Sequence, residues 1–530
     1  MQAKQRSAND MKRFQIKSRS LIEAAVLSTA LFAGGQVSSG TDHSPQAPIP
    51  YSTLQHLLST DSSATIVEKA AKVLPRQNQT EWMRLERTFF IHFGPNTFRE
   101  VEWGTGREDP RVFNPTQLDA DQWMRAVKDG GGKMVVLVCK HHDGLSLWPT
   151  RYSRHSVAES PWRDGSGNLV REVADAARKY GIELGVYLSP ADLYQLRTNP
   201  TNPDGYYGDN SRKVASTIPT NPASFKADPS RARKIVAGGP QFRYDVDDYN
   251  RYFLNQLYEL LTEYGPIREV WFDGANPDPS VHEEYDYNAW YSMIRKLQPK
   301  AIIFGKGPDG RWVGNEGGIG RTTEWSVIPL PAPPDEFRWP DMRDKDLGSG
   351  DKLTPGSYLW WYPAETNVPI LHGWFWAPQK PSRTAAELID IYYQSVGRNS
   401  NWILNISPDN RGLIPDLQVA HLKLMNQVID KTFANNLANG GTIAADSSNG
   451  DHPPAHILDG DLDTWWEATA GKTAASLTLT LPAPVTFDVM SLQEAVDHRS
   501  QRVESFSATF GMAPAGSRWT SKPPSVTSAC

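Results

Sequence analysis

The chain has 530 residues, with 55 Lys and Arg against 60 Asp and Glu and a formal net charge of −5. Its length exceeds one ordinary domain of ~100 to 200 residues and one barrel of ~250, which predicts two domains or an elaborated barrel with an appendage. With 22% charged and 39% hydrophobic residues, it is neither basic enough to present a nucleic-acid surface nor polar enough to be disordered. Many of the 18 Trp lie in polar, Gly- and Asp-rich stretches, where an exposed indole suits a sugar face and a buried one fills a core. Two cysteines, Cys139 and Cys530, exclude a disulfide framework, a Cys-type zinc site and a Cys-pair redox motif.

At the N-terminus Lys12, Arg13, Lys17 and Arg19 precede an apolar run from Leu21 to Phe32 that ends in small residues. This pattern predicts a signal peptide over 1–34 and a secreted or periplasmic protein, although Glu23 interrupts the run and Met11 offers an alternative start. The run is too short to remain as a membrane span, and nothing later approaches ~18 consecutive apolar residues. Residues 35–83 read as linker and lead-in, rich in Ser, Thr, Gln and Pro over 35–60.

Regular order starts with the apolar run FFIHFG at 89–94, a buried strand candidate. Ala120, Trp123, Met124 and Val127 then recur at helical spacing, closed by the glycines after Asp129, and lead to a strand at 133–139. A helix with Leu169, Val173, Ala176, Ala177 and Tyr180 on one face ends at Gly181 before a strand at 182–189. The cycle continues with helix 249–264 and strand 268–274, helix 285–298 and strand 301–305, helix 384–396 and strand 402–407, and a last helix near 416–433. Sustained alternation predicts a parallel α/β sheet, and about eight strand candidates without a Gly-rich phosphate loop favour a (β/α)8 barrel over an open doubly wound sheet.

Barrel enzymes carry their chemistry at strand C-terminal ends. That rule selects His92, the group Lys140, His141, His142 and Asp143, then Ser189, Asp273 and Lys306. From about 436 to 530 the texture changes to short Thr-, Leu- and Val-rich alternating segments, which predicts a small β-sandwich-like domain ending in a tail without strand character.

In KHHDG (140–144) two histidines and an aspartate follow a strand. Neutral imidazoles both donate and accept and suit vicinal hydroxyls; a metal site and a structural role are the alternatives. In VWFDGAN (270–276) an apolar strand delivers Asp273, and in RWVGNEGG (311–318) Glu316 stands in a loop context near Arg311. Two carboxylates on separate strand ends are what glycoside hydrolysis needs, one to attack or activate water and one to protonate the leaving oxygen.

Together HFGPNTF (92–98), EWG (102–104), KHHDGLSLWP (140–149), YLSP (187–190), YGPIREVWFDGAN (264–276), RWVGNE (311–316) and SVGRN with ILN (395–405) resemble the family 29 glycoside hydrolases, the retaining α-L-fucosidases. The resemblance covers residues 84–434, and WFDGAN with RWVGNE looks like the branch acting on α-1,3/1,4-fucosyl linkages. It implies hydrolysis of terminal fucose from oligosaccharides or glycoconjugates with no cofactor for catalysis. Asp273 is then the nucleophile and Glu316 the acid/base, with Glu324 and Glu365 as rivals for Glu316. His92, His141 and His142 would bind fucose hydroxyls, Trp103 and Trp271 would pack on its apolar face, Tyr187 and Arg311 would flank the reacting centre, and Glu102 would be a hydroxyl ligand or a loop cap. Ala191 and Asp192 stand where that branch is expected to carry an aromatic, and a long polar stretch follows at 196–240.

The segment HPPAHILDGDLDTWWEA (452–468) with the β-rich run after it resembles the first half of a discoidin-like carbohydrate-binding module. The likeness implies a structural calcium held by Asp459, Asp461 and Thr464. Two rival classes remain: a non-catalytic fucose- or galactose-binding protein, which the presence of both carboxylates disfavours, and a metal-dependent hydrolase using His141 and His142.

Overall fold

The computed structural model describes residues 20–27, 49–195, 212–222, 239–275, 284–322 and 324–512. The stretch 49–429 forms one compact unit, and the described residues of 1–48 and 430–528 form a second.

Eight parallel strands build the large unit: β1 (Arg87–Ile91), β2 (Met134–Lys140), β3 (Glu183–Leu188), β4 (Glu269–Phe272), β5 (Ile302–Gly305), β6 (Arg311–Trp312), β7 (Ala364–Pro369) and β8 (Ser400–Ile406). They pair in chain order, and β8 returns to β1 through Phe89↔Leu404. A parallel bridge between Phe304 and Gly310 carries β5 across to β6 and completes the ring. The strands are buried on both faces, so most are continuous apolar runs such as MVVLVC.

Six helices alternate with these strands among the described residues: α1 (Ala120–Asp129), α2 (Leu169–Tyr180), α3 (Asp248–Glu263), α4 (Tyr287–Leu297), α5 (Ala385–Gln394) and α6 (Asp416–Phe433). Asp119, Asn168, Asp247 and Asp286 cap the first four by accepting backbone N–H groups. The (β/α) cycle is broken twice. Residues 306–310 join β5 to β6 with no helix, and a hairpin of Val327–Leu330 with Tyr358–Trp361 fills the interval before β7. Leu54–His56 pairs with that hairpin, and helix Gln77–Met83 places Trp82 fully buried at the strand N-terminal ends. Residues 49–83, read from sequence as linker and lead-in, are therefore part of the folded unit. Their short elements are too polar to show periodicity.

The polar stretch 196–240 lies outside the described residues over 196–211 and 223–238, and Asn276 of the WFDGAN motif lies outside them too. Between these, Val214–Ile218 pairs antiparallel with Phe242–Val246.

The small unit holds one antiparallel sheet in the order Thr442–Ala445, Ala474–Thr480, Ser20–Leu27, Ser507–Met512. The strand Ser20–Leu27 falls within the segment whose sequence reads as a signal peptide; the rest of 1–34 and the tail 513–530 are outside the described residues. No helix among the described residues is long and apolar enough to cross a membrane.

Candidate active site

A cavity of about 240 Å³ opens at the C-terminal ends of the barrel strands. Phe90 and His92 reach it from β1, His141 and His142 from the end of β2, Tyr187 from β3, and Trp271, Phe272 and Asp273 from β4. Gly305 of β5 lines it at φ +76°, where a Cβ would meet the Phe272 carbonyl oxygen at 2.2 Å, so only glycine lets β5 close against β4 there.

Asp273 is held by two donors. The Tyr187 hydroxyl donates to Oδ2 at 2.8 Å and the Ala275 backbone N–H to Oδ1 at 2.8 Å. His142 Nε2 stands 3.6 Å from Oδ2.

The hydrogen-bond network fixes the imidazole tautomers. The Asn405 amide donates to the Trp374 carbonyl and to Ser407 Oγ, so its Oδ1 accepts both the His92 backbone N–H and the His92 Nδ1–H, the latter at 2.8 Å. The Ser189 hydroxyl donates to the Ala191 carbonyl at 2.6 Å and therefore accepts from His142 Nδ1 at 2.7 Å. In both rings the Nε2 lone pair is left as an acceptor. Burial pushes the His92 pKa down to about 4 against the opposing hydrogen bond to Asn405, and it lowers His142 against the charge of Asp273. His141 is held well below its ordinary value by burial and then by His142 and His92, and its Nδ1 is buried without a partner. Three neutral rings thus present hydrogen-bonding nitrogen to one cavity, a set suited to a polyhydroxylated ligand.

Aromatic faces enclose the rest. Trp271 stacks on Tyr187 with centroids 5.3 Å apart and meets Phe90 edge-on. Trp103 projects from the rim, half exposed, with its edge against His142. Glu316 lies exposed at the mouth and accepts from the Trp374 indole N–H at 3.2 Å. Partial burial raises its pKa, the Trp374 hydrogen bond opposes this, and the neighbouring charge of Asp273 raises it further.

Two residues that the sequence resemblance placed at the site lie elsewhere. Arg311 is buried and bonds to Glu324 and to the carbonyls of Tyr362 and Trp325; it does not line the cavity. Successive strand residues point to opposite faces, so on β6 it is Trp312 that faces the site. The cation at the mouth is Arg343, whose guanidinium stacks 4.9 Å from the Trp312 ring. Glu102 accepts the Trp374 backbone N–H at 2.8 Å and pairs with Lys380, so it caps the loop that carries Trp374 and is not a cavity wall.

The rivals for Glu316 are also placed. Glu324 is buried between Arg311 and Arg321, and Glu365 is buried on β7 beneath Trp271. Neither opens on the cavity. Trp312, Asp341, Arg343, Asn367 and Trp374 complete its lining and were not singled out from sequence. Trp374 had a signal: it opens the run WFW, three residues with no helical or strand pattern beside Gly373.

In the small unit, Asp459 accepts from the Asp461 N–H and from the Thr464 hydroxyl, and Asp461 accepts from the Asp463 N–H. These bonds close the loop on itself, and the atoms expected to hold calcium are engaged with one another.

A closed barrel whose strand ends and loops gather the carboxylates Asp273, Glu316 and Asp341, three neutral imidazoles and several indoles around one cavity defines a glycoside hydrolase. The sequence profile of the α-L-fucosidases matches residues 75–432, and the chain belongs to that family, glycoside hydrolase family 29. It is 36% identical over 438 residues to Alpha-L-fucosidase 1 of Arabidopsis thaliana, covering 82% of this chain and 76% of the relative. A Ruminococcus gnavus family 29 fucosidase solved in complex with fucose is similar at a TM-score of 0.63 and 28% identity, covering 80% of this chain and 82% of that one.

Proposed function

We propose that the chain is a retaining exo-α-L-fucosidase acting by double displacement, with Asp273 as nucleophile and Glu316 as acid/base. The observation that carries this reading is that Asp273 and Glu316 open on one cavity, the first fixed by two hydrogen-bond donors and the second with its pKa raised, while the third carboxylate there, Asp341, is paired with Lys306 and Arg343. Asp273 attacks the anomeric carbon while Glu316 gives its proton to the leaving oxygen, and the fucosyl-enzyme ester forms as the glycosidic bond breaks. Glu316, now ionised, takes a proton from water, which attacks the anomeric carbon and frees Asp273. The lone pairs of His92 and His142 accept hydroxyl protons of the sugar, and His141 supplies a third nitrogen. Trp271 and Trp103 cover its apolar face and methyl group.

Replacing Asp273 by Gly tests the assignment. Turnover should vanish while the fold persists, and azide should restore cleavage and give a fucosyl azide of inverted configuration. Near-normal turnover without azide would place the nucleophile elsewhere.

The motifs WFDGAN and RWVGNE support terminal α-1,3 or α-1,4 linkages, which digestion of Lewis-type against α-1,2-fucosylated oligosaccharides checks. The basic stretch and apolar run before residue 34 support export, and N-terminal sequencing of the mature protein checks that. The small unit's likeness to a discoidin-like module supports an accessory sugar-binding role.

A further inference from the structure

Two carboxyl groups lie inside the barrel beneath the cavity, and the reaction above uses neither. Glu269 opens β4 and Glu365 lies on β7; both are fully buried. Along β4, Glu269, Trp271 and Asp273 alternate with residues of the opposite face, so Glu269 sits one layer below the indole and two below the nucleophile. The barrel makes room for it at Gly185 on β3, where a Cβ would stand 2.8 Å from Val136 and 3.2 Å from the Glu269 Cβ.

Each carboxyl accepts one indole N–H. Trp82, at the strand N-terminal ends, donates to Glu269 Oε2 at 2.8 Å, and Trp271 donates to Glu365 Oε1 at 3.3 Å. The remaining oxygens, Glu269 Oε1 and Glu365 Oε2, are buried without a partner. The charged groups on neighbouring elements are engaged elsewhere: Arg268 with Glu81 at 3.1 Å and Glu183 at 3.3 Å, Arg311 with Glu324, and Asp273 with Tyr187. His92 on β1 bonds to Asn405, and Arg295 and Arg76 both pair with Asp309.

We propose that Glu269 and Glu365 share one proton and act as a positioning pair, completing a chain Trp82–Glu269–Glu365–Trp271 that sets the Trp271 ring against the sugar. Two anionic carboxylates in a dry interior repel, whereas a single shared proton would turn that repulsion into attraction and give the two orphaned oxygens, Glu269 Oε1 and Glu365 Oε2, a partner. Burial raises Glu269 to about 8 against the Trp82 hydrogen bond and Arg268, and Glu365 is raised well above its ordinary value by burial and then by Glu269. The sign follows: the pair keeps its proton through neutral pH and loses it on alkalinisation, when repulsion between the carboxylates displaces the Trp271 indole. The inference rests on the reading that Trp271 packs on fucose.

The test is the inhibition constant of L-fucose, measured from pH 6 to pH 9 against hydrolysis of an aryl fucoside. L-Fucose has no departing aglycone, so its affinity does not need the proton of Glu316. Wild type should weaken at least fivefold over that range. Glu365→Gln should bind within about threefold of wild type at pH 6 and change less than twofold by pH 9, because its amide donates to Glu269 and still accepts from Trp271. Glu269→Gln provides the same amide–carboxylate pair with the roles exchanged and should behave alike. Superimposable profiles for wild type and variants would overturn the proposal, as would failure of both variants to fold. A wild-type protein that binds no L-fucose at any pH would instead overturn the reading of the cavity.

Discussion

The Tyr187 hydroxyl donates to Asp273 Oδ2 at 2.8 Å, and His142 Nε2 approaches the same oxygen to 3.6 Å. The contact follows from register: Tyr187 pairs with Trp271 across β3 and β4, so the phenol reaches the carboxylate two residues further along the neighbouring strand. A hydrogen bond to a charged group contributes roughly 1.5 to 3 kcal/mol, or about 10- to 100-fold in rate when the transition state depends on it. Tyr187→Phe should therefore lower kcat by about that factor with little change in the circular dichroism spectrum. An unchanged kcat would show that Ala275 N–H alone positions the nucleophile.

Glu316→Ala should affect natural glycans far more than aryl fucosides with good leaving groups, since a departing phenolate needs little protonation. The checking measurement is the ratio of kcat/KM losses on the two substrates. Trp374→Phe removes the indole hydrogen bond that holds Glu316 and should lower activity on natural glycans in the same direction by a smaller factor.

The pH profile should fall at both ends. A raised Glu316 pKa means that the acid keeps its proton above the ordinary carboxylate range and loses it as pH rises, which lowers kcat on substrates with poor leaving groups. On the acid side, His92 gains a proton near pH 4 and its Nε2 ceases to accept from the sugar, so kcat/KM falls through that pH. Replacing Glu316 by Ala should remove the alkaline fall in kcat, leaving in kcat/KM the acid limb and whatever alkaline fall comes from sugar binding.

Arg311 offers the opposite expectation. It is buried against Glu324, which Arg321 also approaches at 2.9 Å. Breaking a buried pair costs on the order of 3 to 5 kcal/mol because one charge is left unpaired. Arg311→Met should lower the thermal midpoint markedly, while kcat per folded molecule at low temperature changes less than threefold. A selective loss of kcat with an unchanged midpoint would return Arg311 to the reacting centre.

Which parts of this site were legible in the sequence follows from where burial writes a pattern. β1 to β5 and β8 show as apolar runs, because parallel strands are covered on both faces, and the residue after each run then falls at the cavity. That logic reaches His92, His141, His142 and Asp273. β6 is two residues long, and β7 reads AETNVP, with the polar Glu365, Thr366 and Asn367 all buried, so neither has an apolar signature. Asp341, Arg343 and Trp374 come from excursions after these two strands and inherit no register from them. Arg311 and Glu102 were legible as members of motifs, but a motif does not say which way a side chain points.

Removal of the chain from residue 430 onward should leave hydrolysis of a nitrophenyl fucoside intact. Every residue lining the cavity lies between Phe90 and Trp374. The elements that hold those residues, from the buried Trp82 to β8 at Ser400–Ile406, also precede the cut. The large unit spans 49–429, so the cut leaves its internal packing complete apart from the last turn of α6. The small unit has its own antiparallel sheet, and none of its described residues lines the cavity. If that unit binds glycans, its loss should reduce activity only on polymeric or surface-bound fucosylated material, through lost avidity. The deciding measurement is kcat/KM of truncated and full-length protein on the small fucoside, with circular dichroism to confirm folding. Equal values support two units with separate tasks, whereas a loss above tenfold in a folded truncate would show that residues after 430 help build the active site.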